Sequence, residues 1–138
     1  MSTYVLDTSV VIKWFNQKNE LHTRQARKIF DDLQSEKINI LIPDLLLVEL
    51  LNALMIGKKT PIEEANLAVK TLFASTINIV ELTLPVLLQT SLVIKQYNLT
   101  SYDAYFLALA QYEKCTLVSD DQKAHGKIDS VMMLKDYR

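Results

Sequence analysis

Five acids stand where their surroundings make chemistry possible. Asp7 lies between the apolar runs Tyr4 to Leu6 and Val10 to Ile12, and an unpaired charge in such company costs so much that it is normally paired, metal-bound or neutralised. Glu49 sits in the stretch LLLVELLNA, with Leu45, Leu46, Asn52 and Ala53 one helical turn away. That is not the solvated stripe of a surface glutamate, and Asn52 is placed to hydrogen-bond with it inside a cleft. Asp103 follows Thr100 at capping-box spacing and opens the apolar run AYFLALA, so it either completes a helix cap or faces a cleft from the start of a buried helix. Asp120 and Asp121 follow TLVS; a cap on the short helix QKAHG from Ser119 or Asp120 explains one of the pair but not both.

Carboxylates gathered at one place repel, which raises their pKa values or demands counter-charge. Hard divalent cations relieve this, because Mg²⁺ and Mn²⁺ take oxygen ligands from one or two carboxylates, water and substrate phosphate. A cation so held activates water and stabilises charge on a phosphodiester under attack. The chemistry predicted is metal-dependent phosphodiester hydrolysis. Zinc-ligand spacing, the phosphate-binding G-x-x-x-x-G-K-[ST] and the dinucleotide G-x-G-x-x-G are all absent. Asp31, Asp32, Glu63 and Glu64 read as polar helical faces, and His22 and His125 as surface histidines. Lys13, Lys58 and Lys59 are candidates to guide a nucleic-acid backbone, though the last two read better as solvated helix-end lysines.

The elements that must position these acids follow from periodicity. Apolar runs at 4–6, 38–42, 77–82, 115–119 and 130–134 read as strands. Helices are expected through VVIKWF behind a Ser9 cap, and over TRQARKIFDDLQSE (23–36) from a Thr23 cap, where Ala26, Ile29, Phe30 and Leu33 share one face. Pro43 opens a helix that Gly57 closes. Thr60, Pro61 and Glu63 form a capping-box start for a helix burying Ala65, Ala68, Val69, Leu72 and Phe73. Two more run over 85–98 and from a Thr100 or Ser101 cap through 102–114. Strands alternating with helices over short connections predict a parallel α/β sheet covered on both faces. In such sheets ligands bind outside the carboxyl ends of the strands, where Asp7, Asp120 and Asp121 fall.

The 138 residues, 49% hydrophobic and 22% charged with two Gly and three Pro, fit one folded domain, 1–138. Cys115 is the only cysteine, which excludes an intrachain disulfide and gives no sign of an oxidising compartment. Charged and polar residues interrupt every long apolar run, so neither a signal peptide nor a spanning helix is expected, and a cytoplasmic location follows. The net charge of −1 lacks the basic footprint of tight, non-specific nucleic-acid binding.

Four blocks, in order, resemble the PIN-domain proteins, and among them the VapC-type toxins of bacterial or archaeal toxin-antitoxin pairs: YVLDTSVVIKWF, IPDLLLVELLNAL, LTSYDAYFLALAQ and TLVSDDQK. The resemblance spans essentially the whole chain. It implies a three-layer α/β/α PIN-like domain with a central, mostly parallel sheet of four to five strands. It also implies an Mg²⁺- or Mn²⁺-dependent endoribonuclease acting on RNA, commonly a homodimer inhibited by a cognate antitoxin. Asp7 and Asp103 would be the principal metal ligands, Glu49 and Asp121 would complete the catalytic cluster, and Ser9 would line the site toward substrate. The fourth block carries Ser119 where the family usually has Thr, and Gln122 where a basic residue is frequent. Two other readings are open: phosphoryl transfer from an Asp nucleophile, weakened because Ser9 stands where that chemistry sets a second Asp, and a catalytically inactive PIN-like or receiver-like regulator, for which the early acid pair of a receiver is missing.

Overall fold

The computed structural model describes residues 1–138. Five parallel strands, β1 (Ser2–Leu6), β2 (Ile38–Pro43), β3 (Asn78–Val80), β4 (Thr116–Ser119) and β5 (Met132–Met133), form one sheet in the order β3-β2-β1-β4-β5. Seven α-helices flank it in an α/β/α arrangement: α1 (Thr8–Val11), α2 (Thr23–Gln34), α3 (Asp44–Asn52), α4 (Ile62–Ala74), α5 (Leu84–Tyr97), α6 (Ser101–Tyr112) and α7 (Gln122–His125). Successive residues Val5 and Leu6 on β1, and Leu117 and Val118 on β4, are all buried. Because side chains on a strand alternate between faces, both faces of the sheet centre are covered, as the continuous apolar runs require. No helix is long and apolar enough to cross a membrane.

The order carries a functional consequence. From β1 the chain steps outward through β2 to β3, then returns across the sheet to β4 on the other side of β1. The carboxyl ends of β1 and β4 therefore flank the point where the direction of winding reverses, the usual place for a ligand crevice in an open α/β sheet. Helix α6 is buried without interruption from Ala104 to Ala110, as expected of a helix apolar on every side, and its first turn delivers Asp103 to that same end.

Several local expectations are corrected. The α-helix after β1 lasts only through Val11 and tightens to a 3₁₀ turn over Ile12–Trp14, and its cap is Asp7 rather than Ser9. Helix α3 ends at Asn52 and continues as a π turn over Ala53–Gly57, so Gly57 does close the segment. Thr60 is buried, and its hydroxyl accepts from Asn16 Nδ2 at 3.0 Å; it therefore does not cap α4, which starts behind Pro61 without a side-chain cap. Ala65, Ala68 and Leu72 form the inner face of α4, leaving Phe73 64% exposed. Asp32 is not solvated: it is buried, receiving the Tyr137 hydroxyl at 2.7 Å and Lys28 Nζ at 2.5 Å. Asp31 does stay at the surface, bonded by Arg27.

Candidate active site

Asp7 leaves β1 with extended backbone and turns its carboxylate back, so that Oδ2 accepts the Ser9 amide at 3.0 Å. It is thus a helix cap, and it is also 6% exposed. Burial pushes its pKa up, against the lowering effects of Ser9 and of the nearby His125, and the negative charge of Asp103 adds to burial as the smallest of these causes. Glu49, on α3, accepts the Thr8 hydroxyl at 3.0 Å through Oε1. Its pKa is raised first by burial, then by repulsion from Asp7 and Asp103, against the Thr8 bond. Asp103 receives the Thr100 hydroxyl at 3.2 Å and donates its own amide to that oxygen at 3.3 Å; this is the forward half of the capping box the spacing announced, the carboxylate meeting the Thr100 hydroxyl in place of its amide. Three acids from β1, α3 and α6 therefore stand within one another's fields, and none has a Lys or Arg partner. Asn52 shares the cleft wall with Glu49 but does not bond to it.

The two acids after β4 divide cleanly. Asp120 is neutralised, with Lys13 Nζ at 2.8 Å and His22 Nδ1 at 2.9 Å. Asp121, rather than Ser119 or Asp120, caps α7 by accepting the Ala124 amide at 3.0 Å, and no cation pairs with it. Ser9 stitches the two strand ends together, its Oγ accepting the Asp120 amide at 2.9 Å. Lys13 is no guide for a nucleic-acid backbone: it is 2% exposed and bridges Glu20, at 2.6 Å, to Asp120. Lys58 is likewise engaged, by Glu20 Oε2 at 2.5 Å and the Lys18 carbonyl, while Lys59 is exposed. His22 is half-buried against Asp120, and His125 is completely buried, which overturns the expectation of two surface histidines.

A groove of about 570 Å³ runs beside Glu49, lined by Thr8, Leu45, Val48, Asn52, Ala53 and Tyr102. The largest cavity, about 680 Å³, lies instead at the amino ends of the strands, where Glu113 is its one acid. No three carboxylate, imidazole or thiol groups come close enough together to hold a metal ion as they stand. Their chemistry nevertheless suits a hard divalent cation: every available donor is an anionic or neutral oxygen, and the nearby lysines are committed elsewhere.

Residues 4–129 match the model of the PIN domain. The chain belongs to the PIN domain family. Solved structures share this PIN fold over nearly its full length. A toxin-antitoxin complex from Klebsiella pneumoniae aligns with a TM-score of 0.71 at 21% identity, over 95% of this chain and 97% of that one. VapC20 of Mycobacterium tuberculosis, a sarcin-ricin loop cleaving toxin, aligns at 0.71 and 12% identity over 89% and 93%. VapBC2 from Rickettsia felis, bound to a promoter DNA fragment, aligns at 0.66 and 20% over 95% and 96%. At these identities the likeness establishes the fold. No curated protein matches the chain significantly.

Of the residues singled out in the sequence, the PIN fold brings Asp7, Glu49 and Asp103 into mutual electrostatic reach, and joins Ser9 to the β4 end that carries Asp121. Thr8 and His125 escaped sequence reasoning as neighbours of these acids. Thr8 had one signal, its place directly after a strand-end acid; His125, among Gln122, Lys123 and Lys127, had none.

Proposed function

We propose that this PIN domain is a metal-dependent endoribonuclease and the toxin of a type II toxin-antitoxin pair. One observation carries the reading: Asp7, Glu49 and Asp103 lie at the strand ends within electrostatic reach of one another and none is paired with a Lys or Arg, while Asp7 and Glu49 have pKa values raised first by burial and further by neighbouring acids. A fold evolved only for stability gains nothing from such a cluster. Kinship with the PIN family, and a fold held in common with toxin-antitoxin complexes and a sarcin-ricin loop cleaving toxin, point the same way.

Asp7 and Asp103 would hold Mg²⁺ or Mn²⁺, with Glu49 and Asp121 completing the acidic set. When bound, the ion supplies water activation and stabilisation of the charge that develops on the phosphodiester. The chain's own groups do the rest. Thr8 fixes the Glu49 carboxylate, the Ser9 amide fixes that of Asp7, and the Ser9 hydroxyl holds the β4 loop against the β1 end. The groove beside Glu49 receives the RNA strand, with the exposed ring of Tyr102 offering a face on which a base can stack. Exposed Leu84, Leu88 and Leu92 on α5 give an apolar face suited to a second copy of the chain or to an antitoxin.

Purified protein should cut RNA when Mg²⁺ or Mn²⁺ is supplied, and Asp7→Asn or Asp103→Asn should abolish the cutting. Equal cleavage by the variants would assign the activity to a contaminant and overturn the proposal.

A further inference from the structure

His125 is the one fully buried imidazole, and the roles assigned above leave it unused. Its Nε2 lies 3.1 Å from the carbonyl oxygen of Asp103. A carbonyl only accepts, so Nε2 carries the hydrogen. Its Nδ1 lies 2.7 Å from Ser119 Oγ, and that oxygen accepts the Asp121 amide at 3.1 Å. The Asp121 carbonyl in turn accepts the His125 amide at 2.9 Å, while Asp121 Oδ1 holds the amide of Ala124. The result is a closed circuit: Asp121 to Ser119, Ser119 to His125, and His125 back to Asp121 through the main chain, with the remaining ring nitrogen reaching across to the first turn of α6.

We propose that His125 is a positioning residue, a strut that sets the Asp103-bearing end of α6 at a fixed distance from the Asp121-bearing loop after β4. The proposal rests on the reading that Asp103 and Asp121 serve one divalent cation. Two features distinguish the strut from a core histidine that has merely found partners. Both of its nitrogens lead to acids of the proposed site, one through a main-chain carbonyl and the other through a single hydroxyl. The chain also closes tightly behind it: at Gly126 a Cβ would stand 2.5 Å from the Gln122 carbonyl oxygen, so a residue without a side chain is needed to end α7 with the imidazole turned inward. Groups that orient metal ligands from behind matter nearly as much as the ligands, and their removal typically lowers metal affinity about 10- to 100-fold.

The experiment compares the full-length wild type with His125→Leu and His125→Gln. Leucine fills the space without hydrogen bonds, and glutamine returns an N–H within reach of the Asp103 carbonyl. Thermal unfolding without metal establishes that each variant is folded, and calorimetric titration with Mn²⁺ alone gives the affinity. The strut predicts a loss of about 10-fold or more for His125→Leu and recovery of most of it in His125→Gln, whatever their melting temperatures. Affinity within about twofold of wild type in a folded His125→Leu protein overturns it. Should that variant fail to fold, Ser119→Ala, which cuts the Asp121 arm alone, decides in its place: weakened Mn²⁺ binding supports the strut, and unchanged binding overturns it. A wild type that binds no Mn²⁺ overturns the nuclease reading together with this one, whereas wild-type binding with indifferent variants removes only the strut.

Discussion

Replacing Asp7 by Asn separates what this residue does for the fold from what it does for a bound cation. The cap survives, because an asparagine oxygen accepts the Ser9 amide as well as a carboxylate does, and Asn and Asp rank equally as N-caps. The buried charge is lost, and burial is the first cause of the raised pKa of Asp7. Metal-free Asp7→Asn should therefore melt at or above the wild-type temperature, whereas Asp7→Ala, which also loses the cap, gives up about 1 kcal/mol. With an unfolding entropy of about 2.1 cal/mol/K per residue, the 138-residue chain has roughly 0.29 kcal/mol/K in total, so the missing cap lowers the melting temperature by about 3 °C. A ligand at 100 times its dissociation constant stabilises by about 2.7 kcal/mol, which on the same scale is a rise of about 9 °C. Thermal unfolding of the three proteins with and without Mn²⁺ should show that rise in wild type alone. An Asp7→Asn protein that melts more than about 3 °C below wild type without metal, or that keeps the full Mn²⁺-dependent rise, would refute the reasoning.

Lys13→Met removes the cation between Glu20 and Asp120; those acids keep Lys58 and His22, so the loss should sit near the lower end of the range for a broken buried pair, about 3 kcal/mol, as read from urea unfolding. Glu20 and Asp32 should make stability fall on acidification, in the sense opposite to Asp7 and Glu49, whose raised values favour the folded state as they take up protons. The Glu20 carboxyl is pushed up by burial but pulled below its ordinary value by Lys13 and Lys58, and the Lys28 hydrogen bond outweighs burial to lower Asp32. Their contribution is complete above the unfolded values near pH 4 and is lost as pH drops through the lower folded ones, so Glu20→Gln should flatten the acid limb of a plot of urea midpoint against pH. Phe106→Ala, at a site 1% exposed in the middle of α6, should cost about 3 to 5 kcal/mol by the same urea assay.

The strands and most helices were legible because their signals are local. Continuous apolar runs such as YVL and TLVS announce strands covered on both faces, and the Thr100 to Asp103 spacing announces a cap that the structure contains. Asp7 and Asp103 were legible as site candidates because a strand end and a helix start can be placed without coordinates. What escaped was decided by partners far along the chain. Asp32 is buried by Tyr137, 105 positions later; Lys13 is drawn inward by Asp120; and His125 sits in a polar hexapeptide that gives no hint of the Asp103 carbonyl awaiting it. Phe73 erred the other way, since periodicity marks an apolar face but cannot tell which of its edges the neighbouring elements will leave open.

The bond between Ser9 and Asp120 spans 111 residues and joins the first strand end to the fourth. Contacts so distant in sequence close only after the intervening loop entropy has been overcome, and during synthesis they must wait for the distal segment to leave the ribosome. A nascent chain that has emerged as far as α5 carries Asp7 and Glu49 but neither Asp103 nor the β4 loop. On the proposed nuclease reading, a polypeptide harmful to the RNA around it stays inert while it is being made, and acquires its cutting edge only once α6 and the β4 loop have emerged and docked against the β1 end.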